Sequence, residues 1–291
     1  MRTNLAEQLG VPKDMILHLI EKMDVPFNGK PEWFYAGDEE YLKMVRQAYQ
    51  DSFDSVTGTI ARRMKLEADG TDISRYATIR FKAIKEDIRE TIQDLDRELG
   101  KIMTKGYKNT EQQVAAMAQA SGPGVGEAFD KFISASTKPY LYKGAYLHDF
   151  TDSMLKNYNK ELLLKVESQL RMGVIQRKSW GAIVTDLRQK AFGLEPYQRA
   201  KGITYKAQRL VRTELARRRQ LAINEFIKSP SIVGVTILFG GGPCLSGICY
   251  EKVGEYYKGE NWPPPETPFH PNCRCSVVRL HAKLDTLQGA E

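Results

Sequence analysis

Phe81, Ile84, Ile88, Ile92, Leu95, Leu99 and Ile102 follow one another at spacings of three or four residues. That row is the apolar seam of a coiled coil or of a long bundle helix. A helix of this length is stable in water mainly through what its seam buries, so it demands a partner. The pattern is helical throughout from Glu39 to about Ala120, and the stretch YLKMVRQAYQDSFDSVTGTIARRM offers an antiparallel partner inside the same chain. Pairing between subunits is the alternative.

Around this seam the chain divides into four segments. Residues 1 to 23 predict two short helices about Gly10, Val11 and Pro12, with Leu5, Leu9, Ile16, Leu19 and Ile20 as their apolar face. VPFNGKPEWFYAGD, from Val25 to Asp38, reads as an ordered linker pinned by Trp33, Phe34 and Tyr35. The stretch SGPGVG, from Ser121 to Gly126, defeats helix continuation and marks the main boundary. We therefore expect a helical N-terminal segment and linker over 1–36 and a helical stalk or bundle over 37–125. A C-terminal domain over 126–282 and a tail over 283–291 complete the chain. In the C-terminal domain one helix, beginning near Tyr140, is expected to close at Gly173, and a second runs from a Ser179 cap to Gly193. A third is expected from about Thr204 to Lys228. Strand chemistry appears only in IVGVTILF, residues 232 to 239, and CSVVRL, residues 275 to 280, where β-branched residues dominate. The fold class is accordingly α+β: a mostly α-helical N-terminal part, then three helices leading into a small β-sheet.

At 291 residues, with 42% hydrophobic and 27% charged, the chain can bury a substantial core. A formal net charge of +7 favours an anionic partner such as nucleic acid, an acidic protein surface or a membrane face. The longest apolar run, SIVGVTILFGGG, is far short of the roughly 18–20 residues that span a bilayer as a helix. The start, MRTNLAEQLGVPKDM, carries acids and a proline where a secretory signal has a basic start and an unbroken apolar core. A cytosolic birth follows as the expectation, and clustered cysteines are then metal ligands or free thiols more readily than disulfides.

All four cysteines sit near the C-terminus, as Cys244 and Cys249 in GGGPCLSGICY and Cys273 and Cys275 beside His270 in FHPNCRCSVV. In an extended segment Cys273 and Cys275 point to the same face, so both sulfurs can reach one ion. With Cys244, Cys249 and His270, five candidates serve four tetrahedral positions, and a set of cysteine and histidine alone describes a structural site with zinc as the default metal. Buried thiols or disulfides are the plainer alternative. Catalytic zinc is not expected, because neither the H-x-E with P-C-x-x-C of deaminases nor H-E-x-x-H occurs.

A second candidate is the basic helix QRLVRTELARRRQLAINEF. Lys206, Arg209, Arg217, Arg218 and Arg219 could face phosphates without sequence preference, or simply form a solvated face. Arg212 and Glu214, two residues apart, lie on different sides of a helix and must find separate partners, with a buried Arg or Glu anchoring the strands as one expectation. The three consecutive prolines after Trp262 in NWPPPETPFHPN predict a rigid connector delivering His270.

YLYKGAYLHDFTDSMLKNYNKELLLKVESQLRMGVIQRKSWGAIVTDLRQ, LVRTELARRRQLAINE, the paired cysteines and PPPETPFHPNCRC, taken in order, resemble the head-morphogenesis or minor head proteins of tailed bacteriophages, the family of phage Mu protein F. The likeness covers roughly residues 126 to 280. It implies a low-copy capsid component inside the virion near the portal vertex, present in the host cytoplasm during assembly. Such a component acts in head assembly, DNA packaging or ejection. Implied partners are the portal protein, capsid or scaffold proteins and non-specifically bound duplex DNA. The family's marked positions fall on Arg212, Thr213 and Glu214, and on His270, Pro271, Asn272, Cys273 and Cys275. GGGPCLSGIC departs from the family's usual C-x2-C at a strand end, which places Cys244 and Cys249 outside a clean match.

The leading expectation is thus a structural protein without turnover. The alternative is a nucleic-acid-processing or nucleotide-transferring enzyme working through Glu214, Arg212 and His270. A third is a DNA-reading helix-turn-helix within residues 1 to 23.

Overall fold

The computed structural model describes residues 31–64, 77–119, 141–142, 145–194, 202–226, 232–238, 249, 252, 256–257, 268–269, 273 and 275–281. The expected helices of residues 1 to 23, the break at 121 to 126 and the tail lie outside the described residues. Most of what is described is helical. The chain separates into two units. One holds Met1–Glu39, Gly106–Leu141 and Arg212–Glu291, and the other Glu40–Lys105 and Tyr142–Val211.

The part of the second unit from Glu40 to Lys105 is a helical hairpin, whose two helices extend past it into residues of the first unit. Helix α1 (Pro31–Met64) starts inside the expected linker, seven residues before its end at Asp38. Proline at the first helical position has its φ already set and loses no useful N–H, so it opens the helix rather than stiffening a loop. Helix α2 (Ala77–Gln119) carries the apolar seam, with Ile84, Ile88, Ile92, Leu95, Leu99 and Ile102 all buried. The facing row on α1 repeats at the same interval through Leu42, Val45, Tyr49, Phe53, Val56, Ile60 and Met64, all buried. The helices run antiparallel: Tyr41 Oη donates to the Lys105 carbonyl at 3.5 Å, and Arg63 Nε to Asp87 Oδ2 at 2.6 Å. The seam's partner therefore lies within the chain, as the intramolecular reading expected.

A two-stranded ribbon, β1 (Leu141–Tyr142) and β2 (Ala145–Tyr146), precedes helix α3 (Leu147–Ile175). The helix thus begins later than the sequence suggested, after the Lys143-Gly144 step rather than through it. Its buried row of Leu155, Asn159, Leu162, Val166 and Leu170 adds a third helix to the hairpin. Asn159 places one polar contact in that core: Tyr49 Oη donates to Asn159 Oδ1 at 2.9 Å, and Asn159 Nδ2 donates to Asp96 Oδ1 at 2.6 Å. Burial pushes both the Tyr49 phenol and the Asp96 carboxyl above their ordinary pKa values.

Gly173 does not end α3. A β-carbon there would sit 2.6 Å from Ile183 Cγ1, so this glycine lets α3 approach the next helix closely. The end is made by Arg177, held left-handed at φ 51°, with Lys178 N–H reaching back to the Gly173 carbonyl at 2.9 Å and Arg177 N–H to Val174 at 3.1 Å. This is the paired-bond cap usually closed by glycine. Helix α4 (Trp180–Asp186) starts where expected, with Ser179 Oγ accepting from Ala182 N–H at 3.3 Å. It continues as a π-helical turn, Leu187–Phe192, that buries Leu187, Ala191 and Phe192. The Phe192 ring meets Phe53 edge-on with centroids 5.4 Å apart. Gly193 ends the turn at φ 68°, and a β-carbon on Gly202 would lie 2.6 Å from Gly193 Cα, so two backbones touch where any larger residue would separate them. Helix α5 (Ile203–Phe226) follows, its Thr204 hydroxyl donating to the Phe192 carbonyl at 2.8 Å.

In the first unit, β3 (Ile232–Leu238) pairs antiparallel with β4 (Tyr256–Tyr257) and with β5 (Ser276–His281), giving the order β4-β3-β5. The β3–β5 register runs from Leu238 opposite Ser276 to Ile232 opposite His281, with an irregularity between Ile232 and Gly234. Val235 and Ile237 are buried, as residues of alternate parity on one face of a strand should be.

Asn159→Ala strands two partners at once, the buried Tyr49 hydroxyl and the half-buried Asp96 carboxyl. Loss of an embedded hydrogen-bonding partner typically costs about 1–3 kcal/mol. We expect the chemical-denaturation midpoint to fall accordingly, with the denaturant slope unchanged.

Candidate metal centre and charged helix

The C-terminal cysteines come together at the edge of the sheet. Cys275 immediately precedes β5, and Cys273 two residues earlier shares its side of the extended chain. Cys249 arrives from between β3 and β4. All three thiols are buried and unoxidised. Their sulfurs lie within 4.8 Å of one another, and Cys249 Sγ and Cys273 Sγ are 3.7 Å apart. A hydrogen bond from the Cys275 thiol, with further ones from the Cys275 and Phe269 backbone and from Cys249, brings the Cys273 thiol down to about 5 against the cost of burial. Cys275, which keeps its proton and donates it to Cys273, is pushed up by that hydrogen bond and by burial.

Chemically this is a set of soft donors turned inward on one point. Two thiolates bound to a tetrahedral ion at about 2.3 Å stand about 3.8 Å apart, so the spacing of Cys249 and Cys273 fits one edge of such a site and Cys275 a third corner. Three of the five candidate ligands are thereby brought together. Cys244 and His270 lie outside the described residues, as do Pro271 and Asn272.

Helix α5 carries the second group of candidates. Arg212 Nη2 donates to Glu39 Oε1 at 2.9 Å, and Glu214, 1% exposed, is paired with Arg217 one turn on. The two charges of the R-T-E motif thus find separate partners. Glu214 does so within its own helix rather than by anchoring a strand, and between them Thr213 is buried. The second oxygen of Glu214, Oε2, accepts no hydrogen bond among the described residues, and burial raises its carboxyl above the ordinary range despite Arg217.

For phosphate binding, the structure corrects the expectation at Arg218 and Arg219. Arg218 Nε reaches Glu111 at 3.1 Å with its guanidinium 5.3 Å from the Tyr107 ring, and Arg219 Nη2 meets Asp38 Oδ1 at 2.6 Å with both side chains buried. A guanidinium enclosed with a carboxylate has no face left for a phosphate. Burial nevertheless holds the Asp38 carboxyl above its usual range, in spite of Arg219 and Arg212. Lys206 is likewise engaged by Glu161 at 2.8 Å, and Arg217 by Glu214. Arg209 alone of the five is exposed.

Sequence reasoning missed the acidic side of this arrangement. Asp38 and Glu39 stand 181 and 173 residues from Arg219 and Arg212, and Glu111 stands 107 residues from Arg218. No local spacing signals contacts of that range.

Comparison with protein-family models, with curated proteins and with solved structures finds no match to this chain.

Arg219→Met alone leaves the Asp38 carboxylate buried and uncompensated, a change worth about 3–5 kcal/mol in such settings. Arg219→Met combined with Asp38→Leu removes both charges and should recover most of the loss. Thermal melting of the two variants beside the parent checks it; equal destabilisation by the single and the double change would contradict the pairing.

Proposed function

We propose that the chain is a minor head protein of a tailed bacteriophage, a structural component rather than an enzyme. One observation supports this reading best: the residues that carry the family resemblance are spent on internal structure. Arg212 is engaged by Glu39, Glu214 is enclosed with Arg217, and the thiols of Cys249, Cys273 and Cys275 face one another. An enzyme of nucleic acids needs groups converging on open space where a reacting atom can sit. Glu214, at 1% exposure, offers no such approach. With this proposal goes the α+β domain of three helices and a small sheet over 126–282, and a place inside the head near the portal vertex.

The proposed partners are the portal protein, capsid or scaffold proteins, and duplex DNA bound without sequence preference. The net charge of +7 favours the last. Because Arg218 and Arg219 are buried with acids, any DNA contact rests on other basic residues, Arg209 among them.

The cofactor we propose is a structural zinc ion held by Cys249, Cys273 and Cys275, with Cys244 or His270 as the fourth ligand. Its contribution would be to hold the β3–β4 connection to β5, adding folding energy and no reaction.

Two measurements test these proposals. Protein purified under reducing conditions should carry about one zinc per chain by elemental mass spectrometry, lost in Cys273→Ser and in Cys275→Ser. Absence of metal with all thiols titrating in the folded protein would remove the zinc. For the head-protein reading, the chain should co-sediment with portal protein or with duplex DNA at low salt. Binding to neither, or cleavage of nucleic acid abolished by Glu214→Gln, would replace it with the enzyme.

A further inference from the structure

Helix α3 packs by one face into the helical unit, and its other face has a composition unlike that of any internal contact. Among its described residues, Lys156, Lys160, Leu164, Arg171, Met172 and Ile175 are exposed, together with three small polar residues; the acids on the same arc are already neutralised, Glu161 by Lys165 and Lys206 and the buried Glu167 by Lys85. At 100° per residue these six fall within an arc of about 160°, a single stripe along the helix. Leu164 is 65% exposed, Met172 42% and Ile175 73%, the large aliphatic side chains most open to water among the described residues. Arg177, also exposed, follows the helix and holds the left-handed position of its cap. Glycine would occupy that conformation at lower cost, so the site keeps a cationic side chain at some expense of backbone strain.

We propose that this face of α3 docks on an anionic lipid surface, the aliphatic side chains entering the headgroup layer and the basic ones pairing with lipid phosphates and carboxylates. The proposal is independent of the head-protein reading.

Charge complementarity selects this occupant. A second copy of the same face would set like charges against one another. The phosphates of a nucleic acid would satisfy the lysines yet leave three aliphatic groups in water, gaining nothing from them. A protein partner would have to match aliphatic groups spread over about 16 Å of helix, from Leu164 to Ile175. A lipid surface accepts such a stripe without a matched groove, and lysine stems lie along it while their ammonium groups remain in water. None of the described helices is long and apolar enough to cross a membrane, so the contact is one of lying on the surface.

The test is flotation of the full chain with vesicles of phosphatidylcholine alone and of an equal mixture with phosphatidylserine. Binding should require the anionic lipid and weaken with salt. Lys156→Ala with Lys160→Ala should weaken it by about fivefold per lysine, and Leu164→Ser with Ile175→Ser should abolish it; the serine pair should melt near the parent because those side chains are exposed, and Lys156→Arg with Lys160→Arg, which keeps the positive charge beside Asp96, should bind and melt as the parent does. Failure to bind anionic vesicles overturns the proposal, as does binding that survives Leu164→Ser with Ile175→Ser. A dimer dissolved by the serine pair, portal binding lost with it, or duplex DNA binding lost with the lysine pair, each without vesicle binding, overturns it and assigns the face to that partner instead.

Discussion

Two apolar rows of matched spacing, one on α1 and one on α2, set the conditions for everything else in the helical unit. Each large aliphatic side chain buried there contributes about 1.5–3 kcal/mol relative to exposure in water. Because both rows repeat every three or four residues, the helices lie side by side over their shared length, and a third row on α3 closes the remaining side. The short elements then take positions that the three helices leave to them. The π-helical turn inserts Phe192 against Phe53, and Gly173 admits Ile183 at a distance that no other residue would permit.

The polar interior serves a different purpose. Apolar rows of similar side chains tolerate a slip by one turn, whereas Asn159 between Tyr49 and Asp96 permits only one register of three helices. The same reasoning applies to the basic helix. Buried ion pairs return little net stability because each charge loses its hydration, but a mismatched pair is costly. Asp38 with Arg219, and Glu111 with Arg218, therefore act as address labels for the part of α5 from Arg212 onward, within the first unit.

What the sequence made legible follows from range. The α2 seam, the Ser179 cap, the Gly193 stop and the extent of α5 are local patterns, and each was read within a few residues. The Pro31 start was missed because Trp33, Phe34 and Tyr35 looked like a linker's anchors, although proline opens helices as readily as it stiffens loops. Gly173 was taken for a helix end because glycine serves both as cap and as contact, and only the position of Ile183 distinguishes them. At the candidate sites, the nearness of Cys273 and Cys275 was plain from their spacing, and Cys249 was grouped with them by cysteine count alone. The fate of Arg212, Arg218 and Arg219 is hidden in the sequence, since their acidic partners lie more than a hundred residues away along the chain.

The contact between Gly193 and Gly202 has a bearing on how the chain can be altered. With the Thr204 hydroxyl on the Phe192 carbonyl at 2.8 Å, the backbone at the end of the π-helical turn is fastened directly to the start of α5. The Gly193 and Gly202 ends are thus already held together by the folded unit, and the entropy of joining two such ends grows only slowly with the number of residues between them. Between Leu194 and Gly202 the protein offers a place where an epitope or a fluorophore can be spliced in while the helices on either side keep their seats.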